Sequence, residues 1–232
     1  MKILALDSSA IVASVALCDG ETLLAEYTLN NGNTHSESLL PMIETMLSHF
    51  GIGIDDVDLF AASTGPGSFT GVRIGTSTVK GLAFAKNTPC IGVSTLEALA
   101  ENVASLGGLI CPVMNARRSQ VYTALFRSDG QSLTRLMPDS ALAITELDSL
   151  LATYGEPVVF VGDGYDITLA ALKQTAAREI PDRLRHQSAY SVAQVARRAY
   201  ERGEETTDSS LAVTYLRPSQ AERERLEREG KQ

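Results

Sequence analysis

Tryptophan is absent from this 232-residue chain and cysteine is scarce, with Cys18, Cys90 and Cys111 odd in number and lacking CxxC spacing. Neither a disulfide framework nor a thiolate zinc cluster is indicated, and a reducing compartment fits. Basic charge is short as well: 20 lysines and arginines stand against 28 acidic residues, a net charge of −8 with a pI near 4.9. That balance opposes autonomous, salt-dependent adhesion to a phosphate backbone, so a nucleic acid would be held by a partner. Long apolar runs are missing too. Ile3 to Leu6 is the apolar run before Asp7, and no later stretch approaches ~18 apolar residues, so secretion and membrane spans are not expected and the cytoplasm is. The three histidines, His35, His49 and His186, form no HExxH or HxxxH, so no metal site is expected. No GxSxG geometry or positioned base accompanies Ser68, which leaves catalytic residues unassigned.

What is present is ordinary soluble composition: 44% hydrophobic and 21% charged residues, with a mean hydropathy of +0.01. The length suits one large domain or two lobes of about 100 residues. Residues 2–7, 11–18 and 21–29 read as strands, with Asp19-Gly20 as a hairpin signal. Thr34-His35-Ser36-Glu37 has the form of a capping box, followed by Leu39, Leu40, Ile43, Met46, Leu47 and Phe50 at helical spacing until Gly51. Pro41 inside that pattern predicts a kink or a later start. A strand at 57–64, a helix at 70–86, a strand at 90–94 and a helix capped by Ser94 complete a first half that ends near Gly107-Gly108. The second half repeats the opening, with strands at 109–115, 120–127 and 131–137 and a turn at Asp129-Gly130. A helix near 145–154, a strand at 157–161 and helices near 166–178 and 191–202 follow. The expected division is a lobe at 1–106, a lobe at 107–217 and a charged tail at 218–232, whose Glu224 to Arg228 and Glu227 to Lys231 spacings suit i,i+4 pairs.

The sharpest motif is Gly65-Pro66-Gly67-Ser68-Phe69-Thr70-Gly71-Val72-Arg73, between a buried-type strand and a helix. It is neither a dinucleotide fingerprint, which needs glycine where Thr70 stands, nor a Walker loop, which needs Gly-Lys-Ser/Thr. Gly67, Gly71 and Gly75 form a bare stripe, and each glycine inside a helix costs about 0.8–1.0 kcal/mol relative to alanine. Close approach of another backbone offsets that cost, either from this chain's own sheet or from a partner. Asp7-Ser8-Ser9 could offer hydroxyls and amides to a phosphate, and Gly162-Asp163-Gly164 could admit an adenosine. Ordinary turn chemistry is the more frequent origin of both patterns.

Taken together, Ile3 to Ser9, His35 to Pro41, Gly65 to Arg73, Ile91 to Leu96, Asn115-Ala116-Arg117, Val161 to Gly164 and Tyr215-Leu216-Arg217 resemble the TsaB (YeaZ) family. The resemblance implies an α/β chain with the actin-like ATPase fold of sugar kinases and Hsp70, in two lobes of related βββαβα topology. It implies a non-catalytic relative of TsaD, the enzyme that transfers threonylcarbamoyl to N6 of the adenosine beside the anticodon in tRNAs reading codons that start with A. Where TsaD carries an HxxxH metal pair, this chain has Ser94-Thr95-Leu96-Glu97-Ala98, so those ligands do not carry over and peptidase activity is not expected.

The implied partners are a TsaD-like enzyme and a TsaE-like ATPase, with a homodimer possible in isolation and tRNA met only indirectly through the complex. No cofactor is required by this chain; ATP or ADP would enter at the complex interface through partners. Asp7, Ser8, Ser9, Asn115, Gly162 and Gly164 would face any nucleotide. The alternative function is an ATP-dependent small-molecule kinase of the same superfamily, although Asn115 replaces the acid such a kinase would want. The expected partner interface lies on the two helices around 37–50 and 70–86, through Leu39, Leu40, Ile43, Met46 and Leu47 on one and Gly71, Val72, Gly75, Val79 and Leu82 on the other, with Ile43 and Val79 at its centre.

Overall fold

The computed structural model describes residues 1–32, 34–204, 207 and 211–217. The charged tail at 218–232 lies outside the described residues. Its first sheet is built from Lys2–Asp7 (β1), Ala13–Asp19 (β2), Thr22–Leu29 (β3), Leu59–Gly65 (β4) and Cys90–Ser94 (β5), in the order β3-β2-β1-β4-β5. β1 pairs antiparallel with β2, Leu4 opposite Leu17, and parallel with β4, Ala5 opposite Ala61. The second sheet contains Gly108–Asn115 (β6), Gln120–Ser128 (β7), Leu133–Ala143 (β8), Val158–Val161 (β9) and Ala177–Arg178 (β10), in the order β10-β9-β6-β7-β8. Read from β8, that is the same arrangement, with the same antiparallel hairpins and the same parallel fourth strand. The duplicated βββαβα lobe of the actin-like fold is thus the observed architecture.

Two helices cover one face of the first sheet, His35–Phe50 (α1) and Phe69–Phe84 (α2). Leu39, Met42, Ile43, Met46 and Leu47 pack with Val79, Ala83 and the β1, β2 and β4 side chains in one core. Pro41 does not break α1: it is exposed, so the carbonyl its ring leaves unbonded, that of Glu37, is on the solvent side where water can serve it. The capping box does not form, because Thr34 makes no side-chain cap bond; Gly51, left-handed at φ 61°, closes the other end. In the second lobe Ile144–Ala152 (α4) and Tyr165–Leu169 (α5) occupy the corresponding positions. The helix expected over 166–178 stops early. The amides of Lys173, Gln174 and Thr175 turn onto the carboxylate of Asp148, at 2.8, 3.1 and 2.9 Å, and lead the chain into β10.

The remaining helices cross over. Thr95–Glu101 (α3) follows the first sheet, yet its Leu96, Leu99 and Ala100 lie in the second-lobe core. Ala189–Glu201 (α6) follows the second sheet, yet Ala189, Val192, Ala193 and Ala196 pack on Ile3, Ala5, Ala16 and Leu59. The two helices meet between the lobes, where Arg198 holds Glu101 through bonds of 2.9 and 2.7 Å and Ser191 Oγ donates to Asn102 Oδ1 at 2.5 Å. A division of the chain after residue 106 therefore separates the sheets but not the helices that cover them.

Candidate functional site

The C-terminal ends of β1 and β4 bring Asp7-Ser8-Ser9 against the glycine loop. Asp7 is 1% exposed. Its Oδ1 accepts from the Ser9 amide at 2.8 Å and from Ser9 Oγ at 2.6 Å, and its Oδ2 accepts from Ser63 Oγ. Burial pushes the Asp7 carboxyl above the usual carboxylate range, against the opposing pull of those serine bonds and of His35. Ser8 Oγ donates to the Gly71 carbonyl at 2.8 Å, and the Ser68 amide donates to the Ser9 carbonyl at 2.7 Å. Ser68 is the N-cap of α2, its Oγ accepting from the Gly71 amide at 3.2 Å.

The bare stripe is explained by this turn. A Cβ on Gly67 or Gly71 would run into the carbonyl oxygens of Ser9 and Ser8, and one on Gly75 would lie 2.5 Å from Ser8 Oγ. The three glycines let α2 sit directly on this chain's own β1–β2 turn, so Gly71 and Gly75 are not partner-surface residues.

The rest of the expected interface needs the same correction. Leu39, Ile43, Met46, Leu47, Val72 and Val79 are all buried, Ile43 at 3% and Val79 at 0% exposure, because the sheet beneath is broad enough to take the whole stripe. Leu40 stays exposed at 53% and Leu82 is half-buried. Sequence spacing did not single out Phe84, 75% exposed; three residues before it is Gly81, where an added Cβ would meet nothing within 4 Å. These lie on the outward side of α2.

The second lobe mirrors the first. Asn115 ends β6 as Asp7 ends β1, and its amide donates to Asp163 Oδ1 at 3.2 Å. Burial raises the Asp163 carboxyl; the Asn115 amide and His186 oppose the rise, and Asp7 adds to it across the gap between the lobes. The flanking glycines are fixed by packing: Gly162 sits at φ 115° with its Cα against the Val113 carbonyl, and the Gly164 amide donates to that carbonyl at 3.0 Å. Asn115 and Gly162 to Gly164 thus lie together at the end of β6, and Asp7 is near enough for its charge to act on Asp163. Among the residues expected to face a nucleotide, the hydroxyls of Ser8 and Ser9 and the space beside Gly162 are already engaged by the protein, so they do not form an open phosphate cradle.

Two features of this end of the molecule escaped the sequence pattern. Leu211 to Arg217 returns across the glycine loop: Leu211 is 2% exposed beside Gly92, the Thr214 amide donates to the Thr64 carbonyl at 2.8 Å, and Gly65, at φ 113°, has no room for a Cβ beneath the Thr214 carbonyl. Tyr215 stacks on Phe69 at 4.6 Å and accepts at its hydroxyl from Arg73 Nε at 2.6 Å. Arg217 then reaches the second lobe, donating to the Ala116 carbonyl at 3.1 Å. Tyr215-Leu216-Arg217 was visible as a motif, but an irregular segment carries no period that places it. The second feature is the β6–β7 turn, in which Arg117, Arg118 and Ser119 all adopt left-handed backbone at φ 61°, 54° and 56°. Each such non-glycine residue costs roughly 1–2 kcal/mol, and no glycine or asparagine signals it.

At the start of α3, Ser94 Oγ donates to Asp139 Oδ2 at 2.6 Å and accepts from the Glu97 amide at 3.3 Å, while Glu97 pairs with Arg135 at 2.8 Å. Thr95 is fully buried. Among the described residues no group of three His, Cys, Asp or Glu side chains is placed to hold a metal ion, and no helix is long and apolar enough to cross a membrane.

This geometry has counterparts among known proteins. The TsaD family profile, described as tRNA N6-adenosine threonylcarbamoyltransferase, matches residues 22–224. The tRNA threonylcarbamoyladenosine biosynthesis protein TsaB of Bacillus subtilis (strain 168) is 36% identical over 162 residues, 70% of this chain and 71% of that protein. The Escherichia coli (strain K12) protein of the same name is 37% identical over 131 residues, and the match spans 56% of each chain. A solved structure described as YeaZ from Pseudomonas aeruginosa superposes with a TM-score of 0.79 at 27% identity, covering 93% of this chain and 99% of that one.

Proposed function

This chain belongs to the TsaB (YeaZ) family, and from that premise we propose that it takes part in tRNA threonylcarbamoyladenosine biosynthesis as a non-catalytic scaffold subunit. Its partner is a TsaD-like enzyme, which carries out threonylcarbamoyl transfer to N6 of the adenosine beside the anticodon and supplies the metal and most of the tRNA contacts. A TsaE-like ATPase is recruited to the pair. ATP or ADP enters through these partners rather than as a cofactor of this chain, and the assembly works in the cytoplasm.

The observation that carries this reading is the first turn of α3. At the place where TsaD has its metal-binding histidines, Ser94 caps the helix and binds Asp139, and Glu97 is held by Arg135. These side chains build the junction between α3 and β8 rather than a reaction centre. The engaged hydroxyls of Ser8 and Ser9 and the packed Gly162 weigh in the same direction, against the kinase alternative.

Docking is assigned to the outward faces of α1 and α2, with Leu40 and Phe84 as the exposed apolar groups and Gly81 as the place where a partner helix can approach closely. The same face would serve a homodimer when the partner is missing. The test is reconstitution with TsaD-like and TsaE-like proteins from the same cell, followed by mass spectrometry of tRNA nucleosides. Modification is expected only when this chain is added. Undiminished modification in its absence, or modification by this chain alone, would defeat the proposal.

A further inference from the structure

We propose that an arginine track running from Arg73 through Arg217 to Arg117 and Arg118, across the junction of the two lobes, binds the phosphate backbone of RNA directly. The net charge of −8 argues against nucleic-acid contact for the molecule on average, but an average hides where the charges sit. Most of the other arginines are taken by carboxylates: Arg127 by Glu156, Arg135 by Glu97 and Asp139, Arg197 by Glu21 and Glu201, Arg198 by Glu101. Among the described residues no carboxylate pairs with Arg73, Arg117, Arg118 or Arg217.

Their neighbours keep them aligned instead. The Arg73 guanidinium lies 3.8 Å from the centre of the Phe69 ring and bonds the Tyr215 hydroxyl, two residues before Arg217. Arg217 is anchored on the Ala116 carbonyl with the Tyr122 ring 5.9 Å away, and Ala116 directly precedes Arg117. The turn then holds Arg117 and Arg118 exposed at its tip in left-handed backbone. The result is a run of four arginines without a described carboxylate partner, linked from one to the next through shared neighbours, with Phe69, Tyr215 and Tyr122 beside two of them. Guanidiniums bond phosphate oxygens in a planar, bidentate manner, and exposed rings such as Tyr215, 44% exposed, offer faces for unpaired bases. That combination fits an RNA strand better than an acidic protein segment, which has no bases to stack.

The inference rests on the proposed function only for the choice of tRNA as the probe. The experiment measures binding of fluorescent tRNA by anisotropy between 50 and 200 mM salt, using the full chain alone and the chain mixed with its TsaD-like partner. Arg117→Asn/Arg118→Asn removes both charges while keeping a residue type that tolerates left-handed backbone; Arg217→Gln is the second variant, and Arg202→Ala, an exposed arginine paired with Glu204, is the charge control. The double variant is expected to bind tRNA at least roughly fivefold more weakly and to lower the slope of log affinity against log salt by about 1.5, as two lost phosphate contacts require. Arg217→Gln should lower the slope by about 1, the Arg117→Lys/Arg118→Lys protein should keep it, and Arg202→Ala should change nothing. Unaltered tRNA affinity and slope in the variants, or no tRNA binding in either arm, would overturn the proposal. So would loss of partner binding with tRNA affinity intact, which would make the track a protein-docking surface. A mixture that forms no complex counts against the proposed function, while the arm with the chain alone still decides this inference.

Discussion

The two lobes share a blueprint and differ in what covers it. Both sheets have one strand order, both first strands end in a polar residue, Asp7 or Asn115, and a glycine of nearly equal φ stands at the end of β4 and just after β9, 113° at Gly65 and 115° at Gly162. Neither glycine has room for a Cβ, since a carbonyl oxygen lies in the way. The helices tell the lobes apart. α1 and α2 have 16 residues each, whereas their counterparts α4 and α5 have 9 and 5. Strand pairing fixes the sheet, so it stays the same in both halves, whereas helix length can change at the solvent side without disturbing it. The long pair is the one whose outer side carries exposed Leu40 and Phe84, and that asymmetry is the ground on which docking is proposed there.

The largest effects are expected where the comparison is closest. Ile43 and Leu147 sit in equivalent helices, 3% and 0% exposed, so Ile43→Asp and Leu147→Asp should each cost on the order of 3 kcal/mol or more by stranding a charge in the core. Thermal melting reads this as a drop of about 2–4 °C per kcal/mol. An undisturbed melt for Ile43→Asp would restore the α1 stripe to the surface and break the parallel.

The paired glycines separate the lobes next. Gly162→Ala pushes a methyl into the Val113 carbonyl of a central strand, while Gly65→Ala meets the Thr214 carbonyl of a returning segment outside any sheet. We expect roughly 3 kcal/mol for the first and about 1–2 for the second, measured by urea unfolding. Equal costs would mean that Leu211 to Arg217 is held as firmly as a strand.

A smaller and pH-dependent effect comes from making the strand ends alike. Burial holds the Asp7 carboxyl above its ordinary value, so the folded state binds its proton more tightly than the unfolded chain does. The resulting stability is complete below about pH 4 and declines as pH rises through the folded value. Asp7→Asn removes that decline. It should therefore gain on the parent protein as pH rises above about 4, with threonylcarbamoyl modification preserved in the reconstituted system. A gap that is constant with pH would remove the buried-carboxyl account.

Much of the blueprint was legible because hairpins and caps have local signatures. Asp19-Gly20 and Asp129-Gly130 marked the turns, Gly51 the end of α1, and the polar residue closing each first strand revealed the repeat. What a periodic pattern lacks is an address. The apolar stripe of α1 showed a buried face without saying how wide the sheet beneath it is, and the stripe at Gly67, Gly71 and Gly75 showed a close approach without naming Ser8 and Ser9 as the neighbours. Nor does sequence order assign a helix to a sheet, and α3 and α6 cover each other's. The early stop of α5 depends on Asp148, some 25 positions before the amides it collects, a distance at which no local propensity operates.

The most direct test of the central claim, that the long helices of the first lobe carry the partner, is calorimetry of TsaD-like protein binding to Phe84→Asp alongside a melt of the isolated variant. Phe84 is exposed, so stability should stay within about 0.5 kcal/mol of the parent. Binding should weaken at least roughly tenfold, as expected for an apolar anchor replaced by charge. Unchanged affinity with an unchanged melt would contradict the account and place the partner elsewhere on the molecule.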